Sequence, residues 1–264
     1  MSNRITLASG LTLNTRIDGA EGNPWLVLSN SLGTSLSMWD SQIEFLTQKY
    51  RLLRYDTRGH GGSDVPGGPY SFDGLVGDVI GLMDAIGIET AAFMGLSMGG
   101  MTGLGLSLEH ADRIARVVCA DGRADAPGAF RTMWDGRIAT VEEHGLAGIL
   151  EGTLAMWFTE EWRAANPQAV ESIREMVLAN ESSGYIACCN ALKELDYLRH
   201  LGSVEIPVLY VGGSDDKAAS PEVMRAMAAA TPGAVFHEIP NAGHIANMNQ
   251  TEAFNAAVSE FLGL

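Results

Sequence analysis

The chain has 264 residues, 46% of them hydrophobic and 19% charged, proportions that suit a globular protein with a substantial core and exclude a disordered or fibrous one. With 32 Asp and Glu against 17 Lys and Arg, the formal net charge is −15, a field that repels phosphate backbones and argues against a nucleic-acid partner. The longest apolar runs, such as Trp25–Leu28 and Val208–Val211, are strand-sized, so no membrane span is expected.

Met1–Leu13 has no basic start followed by an apolar stretch, so no secretory signal is expected. Residues Ile5–Ala8 and Leu11–Ile17 alternate apolar and polar around Gly10, which predicts an antiparallel hairpin. Trp25–Ser29 is a short continuous apolar run, as in a strand covered on both faces. A polar loop, Asn30–Ser35, leads to a predicted helix over Asp40–Lys49 and a strand over Tyr50–Tyr55. After the charged glycine loop Asp56–Ser63, a helix is predicted over Leu75–Ile86 and a strand over Thr90–Met94. A helix over Gly100–His110 and a strand over Ile114–Ala120 continue the alternation, which argues for a mostly parallel, doubly wound α/β sheet.

The rhythm then changes. From about 124 to 199 only helical patterns occur: Phe130–Glu143, Leu146–Met156, Thr159–Asn166, Pro167–Asn180 and Ser183–Ala191. Strand and helix alternate again through Pro207–Gly212, Pro221–Ala229, Ala234–Ile239 and Gln250–Phe261. The expected organisation is a core of residues 1–123 and 199–264, with 124–198 inserted as a helical cap. Cys119, Cys188 and Cys189 offer neither a C-x-x-C spacing nor an evident pair, so reduced buried thiols, a cytoplasmic location and no metal site are expected.

The chemistry centres on Gly95-Leu96-Ser97-Met98-Gly99, which lies between a predicted strand and a predicted helix. In that context G-x-S-x-G is a nucleophile elbow: the sharp turn aims the serine outward, and side chains two residues either side would collide. The amide of Met98, at the helix start, would face a forming oxyanion. An activated serine needs a histidine base and an acid to orient it. Among His60, His110, His144, His200, His237 and His244, the last is favoured, because Asn241-Ala242-Gly243-His244 follows a strand and precedes the terminal helix. Parallel sheets gather catalytic groups at such strand ends. For the acid, Asp216 is the first choice, Asp215 the second and Asp121, directly after the strand ending at Ala120, the third.

The order Ser97, Asp216, His244 is that of the α/β-hydrolases, and the chain resembles that superfamily over essentially its whole length. Within it the chain is similar to 3-oxoadipate enol-lactonases. The likeness rests on Leu28-Ser29-Asn30-Ser31-Leu32-Gly33-Thr34 with Met38-Trp39, on Arg54-Tyr55-Asp56-Thr57-Arg58-Gly59-His60-Gly61, and on Gly95–Gly100. Trp157-Phe158-Thr159 and Ala218-Ala219-Ser220-Pro221 add to it. Most α/β-hydrolases read His-Gly where this chain, like the lactonases, reads Asn30-Ser31. The resemblance implies that the Leu32 amide joins that of Met98 as an oxyanion hole, that Gly213-Ser214-Asp215-Asp216 ends in the acid, and that His60 is structural. One departure is Asp121-Gly122, where those lactonases carry Asn-Thr. Some α/β-hydrolases place the acid at that strand end, so Asp121 competes with Asp216; the other readings are a change to the pocket floor or a pair with Arg123.

The expected reaction is acyl transfer from a small ester or lactone to water, with no cofactor or metal. An enol-lactone of aromatic-compound catabolism is the substrate that the resemblance implies. Such a substrate carries a carboxylate, so a local cation is needed, and Arg123, Arg131 and Arg137 are candidates. Asn30, Ser31, Asp121, Trp134 and Trp157 complete the candidate substrate contacts, and Met133 and Met156 are expected to pack the cap. The alternatives on the same triad are a carboxylesterase, a C–C bond hydrolase, a cofactor-free perhydrolase, or a non-catalytic ligand-binding relative. A homo-oligomer remains open.

Overall fold

The computed structural model describes residues 3–264; residues 1 and 2, which open the expected first core segment, lie outside the described residues. Eight strands form one sheet: β1 (Asn3–Thr6), β2 (Thr12–Asp18), β3 (Trp25–Ser29), β4 (Arg51–Tyr55), β5 (Ala91–Leu96), β6 (Ile114–Ala120), β7 (Val208–Gly213) and β8 (Val235–Ile239). Their spatial order is β1-β2-β4-β3-β5-β6-β7-β8. The β1–β2 and β2–β4 pairs are antiparallel, and every pair from β4 to β8 is parallel. Strands β5 and β7 are buried at every position, because helices cover both faces; continuous apolar runs are what such a strand needs. Leu28, Met94, Val118 and Leu209 point to one face and meet Trp39 and Phe254, while Val27, Phe93, Val117 and Tyr210 fill the other.

Helices α1 (Ile43–Leu46), α2 (Phe72–Ile86) and α3 (Met98–Glu109) punctuate the first half. The Ser71 hydroxyl accepts the Gly74 amide at the start of α2, and Gly87 closes it at φ 80°, a left-handed position that favours glycine. The helix expected over Asp40–Lys49 is instead a 3₁₀ stretch, Leu36–Gln42, followed by the single turn of α1. Arg54 takes the Leu36 carbonyl at 3.0 Å and Asp56 takes the Leu36 amide at 2.6 Å, so these groups are withdrawn from α-helical bonding.

Between β6 and β7 the chain runs through α4 (Gly128–His144), α5 (Ala147–Trp157), α6 (Glu160–Ala165), α7 (Pro167–Leu178) and α8 (Ser182–Lys193). The two ends of this segment lie together: the amides of Tyr197 and Leu198 both donate to the Ala124 carbonyl, at 2.7 and 2.8 Å. Its inner side shares an apolar cluster with the sheet's carboxyl end, where Leu32, Met98 and Met101 meet Phe130, Val141 and Tyr185. Helices α9 (Pro221–Ala230), α10 (Ala246–Asn249) and α11 (Thr251–Leu262) complete the chain. Among the described residues no helix is long and apolar enough to cross a membrane.

Candidate active site

Ser97 sits between β5 and α3 at φ 55°, ψ −117°, a region in which a side-chain-bearing residue is strained. Two backbone bonds hold it there: its own amide donates to the Ala120 carbonyl at 2.8 Å, and the Gly99 amide donates to the Asn30 carbonyl at 3.0 Å. A Cβ on Gly95 would overlap the Gly99 carbonyl, and one on Gly99 would overlap the carbonyl of Ser29. The flanking glycines are therefore a matter of contact between backbones.

The Ser97 hydroxyl lies 2.9 Å from His244 Nε2, and His244 Nδ1 lies 2.8 Å from Asp216 Oδ2. All three side chains are buried. Asp216 Oδ1 accepts the amides of Ala218 and Ala219 at 2.7 and 3.1 Å, which fixes the carboxylate plane and leaves Oδ2 for the imidazole. His244 follows β8 in a loop held by the Gly243 amide on Asn249 Oδ1 at 2.6 Å. Burial depresses the His244 imidazole, but the Asp216 charge and hydrogen bond, with Asp121 behind them, outweigh it and raise its pKa. With Nδ1 donating to Asp216, Nε2 is left free to accept the serine proton.

The other acids fall elsewhere. Asp215 is exposed and accepts the Ser214 hydroxyl at 2.9 Å. Asp121 is fully buried and accepts the Gly213 amide at 2.8 Å and the Ala246 amide at 3.3 Å. It is not part of the pocket lining, and Arg123 pairs with Asp125 at 3.3 Å rather than with Asp121. Of the remaining histidines, His237 is exposed on β8 and His60 is buried. His60 Nε2 accepts the Gly33 amide at 3.0 Å, and burial lowers its pKa to about 4, so it is neutral and braces the loop at Leu32.

The amides of Leu32 and Met98 donate to no other group among the described residues. The peptide carrying the Leu32 N–H is set by Thr34, whose hydroxyl and amide both donate to the Ser31 carbonyl, at 2.7 and 3.2 Å. The Met98 amide opens α3, where unpaired N–H groups and the helix dipole favour negative charge. Asn30 faces away from the pocket: its side chain donates to the Tyr55 carbonyl at 2.7 Å and accepts from Trp39 at 3.1 Å.

A pocket lies over Ser97 and His244, bounded by Ser31 and Leu32 from the core and by Phe130, Trp134, Arg137, Met156, Trp157 and Tyr185 from the helical segment. The candidate arginines separate here. Arg131 is exposed, donates to the Ala126 carbonyl at 2.7 Å and does not line this cavity. Arg123 lines it but also binds the Ala218 carbonyl at 3.1 Å. Arg137 donates to the Tyr185 hydroxyl at 2.6 Å and to the Thr153 hydroxyl, packs against the rings of Trp134 and Tyr185, and has no acidic partner among the described residues. Beside it the Trp134 indole N–H is buried without a hydrogen-bond partner. Sequence reasoning missed Tyr185 and Thr153, because a tyrosine or threonine inside a helix carries no motif, and it quoted Thr34 within the Leu28–Thr34 stretch without giving it a role.

Residues 24–251 match the family model for the alpha/beta hydrolase fold. The chain is 38% identical to 3-oxoadipate enol-lactonase 2 of Acinetobacter baylyi over 254 residues, covering 95% of this chain and 93% of that one. It is 34% identical to 3-oxoadipate enol-lactonase 1 of the same organism, covering 98% and 96%. The crystal structure of the enol-lactonase from Burkholderia xenovorans superposes with a TM-score of 0.95 at 39% identity, over 99% of this chain and all of that one.

Proposed function

The chain belongs to the α/β-hydrolase family and is a carboxylic ester hydrolase; from that premise we propose that it opens a small enol-lactone bearing a carboxylate, with Ser97 as the nucleophile. The observation that carries this reading is the unbroken relay Asp216–His244–Ser97 beneath a pocket lined by Arg137, which has no acidic partner among the described residues. His244 Nε2 takes the Ser97 proton as the hydroxyl oxygen attacks the lactone carbonyl. The Leu32 and Met98 amides hold the oxyanion, and collapse breaks the ring C–O bond as His244 Nε2 gives its proton to the leaving oxygen, which leaves an acyl-enzyme with a tethered enol and a neutral imidazole. The enol tautomerises to a ketone. A water then loses its proton to His244, attacks the acyl carbon and releases the carboxylic acid, and the proton returns to Ser97 Oγ. Arg137 and the Trp134 N–H are the donors for the substrate's carboxylate, since a cation desolvated in an apolar pocket gains most from an anionic partner. Helices α4–α8 act as the lid that excludes water, and aromatic-compound catabolism is the setting that the sequence resemblance implies.

A spectrophotometric panel of carboxylated lactones, neutral lactones, simple esters and 1,3-diketones tests the reading. Wild-type enzyme should favour the carboxylated lactones, Ser97→Ala should lose at least ~10³-fold in kcat, and a serine-directed phosphonate should add its mass to Ser97. Full activity in Ser97→Ala, or no turnover of any substrate, would overturn the serine mechanism; preference for a diketone would make the protein a C–C bond hydrolase instead.

A further inference from the structure

Asp121 is fully buried, forms no ion pair among the described residues and takes no part in the chemistry above. Its backbone is held at φ 45°, a conformation that a side-chain-bearing residue adopts only under constraint. Held this way, its carboxylate reaches out of β6 to two separate loops. Oδ1 accepts the amide of Gly213, whose own carbonyl accepts the amide of Asp216 at 3.2 Å. Oδ2 accepts the amide of Ala246, two residues past His244. The Asp121 amide donates to the Val211 carbonyl at 2.8 Å, and the preceding carbonyl, of Ala120, accepts the Ser97 amide at 2.8 Å. One dipeptide thus touches the backbone that carries the nucleophile, the acid and the base.

We propose that Asp121 is a positioning residue, which ties the loop of Asp216 to the loop of His244 and thereby sets the contact between them. The proposal rests on the assignment of Ser97, His244 and Asp216 above. A carboxylate suits the task because two amide donors from different loops require two acceptor oxygens in one rigid plane. Asparagine would turn its NH₂ toward one of those N–H groups and break a bond. The charged and titratable groups around it are Cys119 on β6, Asp216 and His244, while Arg137 of α4 acts on His244 from the pocket side. Burial and the like charge of Asp216 push the Asp121 carboxyl up, and Asp121 in turn pushes His244 up, so the tie is electrostatic as well as mechanical.

The test compares wild type, Asp121→Asn, Asp121→Gly and Ser97→Ala in the hydrolysis of p-nitrophenyl acetate across the pH range, with melting temperatures measured in parallel. Asp121→Asn should lower kcat about ten-fold or more at nearly constant KM, and should move the acid limb of kcat/KM to lower pH. Asp121→Gly accepts the positive φ without strain and should lose kcat as severely while still folding, so it decides the matter where the asparagine variant does not fold. The proposal is overturned if both variants keep kcat within two-fold of wild type, if the pH profiles superpose, or if activity falls only in proportion to folded protein. Activity retained by Ser97→Ala would overturn the assignment of the nucleophile instead.

Discussion

At the scale of single residues, the site is decided by which polar groups already have partners. Asp216 rather than Asp215 meets His244 because only its side chain turns inward, where the Ala218 and Ala219 amides hold it. Arg137 rather than Arg131 faces the cavity, and its neighbours there are hydroxyls and aromatic rings. A charge-assisted bond to a carboxylate contributes about 1.5–3 kcal/mol. Arg137→Met should accordingly lower kcat/KM for a carboxylated lactone by about 10- to 150-fold. It should change that for a neutral ester of similar size by much less. Equal losses on both substrates, measured side by side, would remove Arg137 from carboxylate recognition.

At the scale of elements, the elbow works because β3, β5 and α3 approach at backbone distance. The Gly99 position faces the Ser29 carbonyl and the Asn30 amide, with no room for a methyl group. Gly99→Ala must push α3 away from β3, and overpacking of this kind costs about 1–3 kcal/mol, or roughly 2–12 °C in melting temperature. The same shift moves the Met98 amide and the Gly99–Asn30 bond, so kcat should fall more steeply than stability. Calorimetry together with kinetics checks this; a variant with wild-type kcat would show that the glycine is not needed for the chemistry. The mis-predicted helix at Asp40–Lys49 belongs to this scale too. Its apolar spacing is helical, but Arg54 and Asp56, from β4 and the loop after it, capture the Leu36 backbone. A local pattern cannot register a competitor that arrives from another strand.

At the scale of the whole molecule, the helical segment and the core are locked through the loop that carries Leu32. The Asn180 side chain, just past α7, donates to the Gly33 carbonyl at 2.9 Å and accepts the Gly61 amide at 3.0 Å. His60 takes the Gly33 amide from the other side. The His60 imidazole is buried, and that burial brings its pKa from 6.5 down to about 4, against the pull of the Arg58 carbonyl and Asp56. Between those values the unfolded chain binds the proton and the folded one does not. The stabilisation is therefore whole above pH 6.5 and is lost as pH falls toward 4. At about 1.4 kcal/mol per unit the loss is about 3 kcal/mol. The melting temperature should fall over this window, and His60→Gln, which keeps an acceptor without the titration, should flatten the fall. An unchanged slope in His60→Gln would assign the acid sensitivity to other groups.

Much of the fold and part of the site are legible in the order of residues. The α/β class, the helical run between two stretches of alternation, and the elbow at Ser97 follow from local spacing, because strand and helix periods and glycine placement are properties of neighbouring residues. His244 is readable as a histidine at a strand end. The rest is not local. Three acids stand open in the sequence, and Asp216, Asp215 and Asp121 differ only in which way each side chain turns once β6, β7 and β8 lie side by side. Arg131 and Arg137 likewise differ in which side of α4 they occupy and in what already binds them. Sequence by itself determined the order of elements and the kinds of chemistry they carry. Tertiary structure alone decided which buried groups meet, because hydrogen-bond satisfaction and burial depend on residues far apart in the chain.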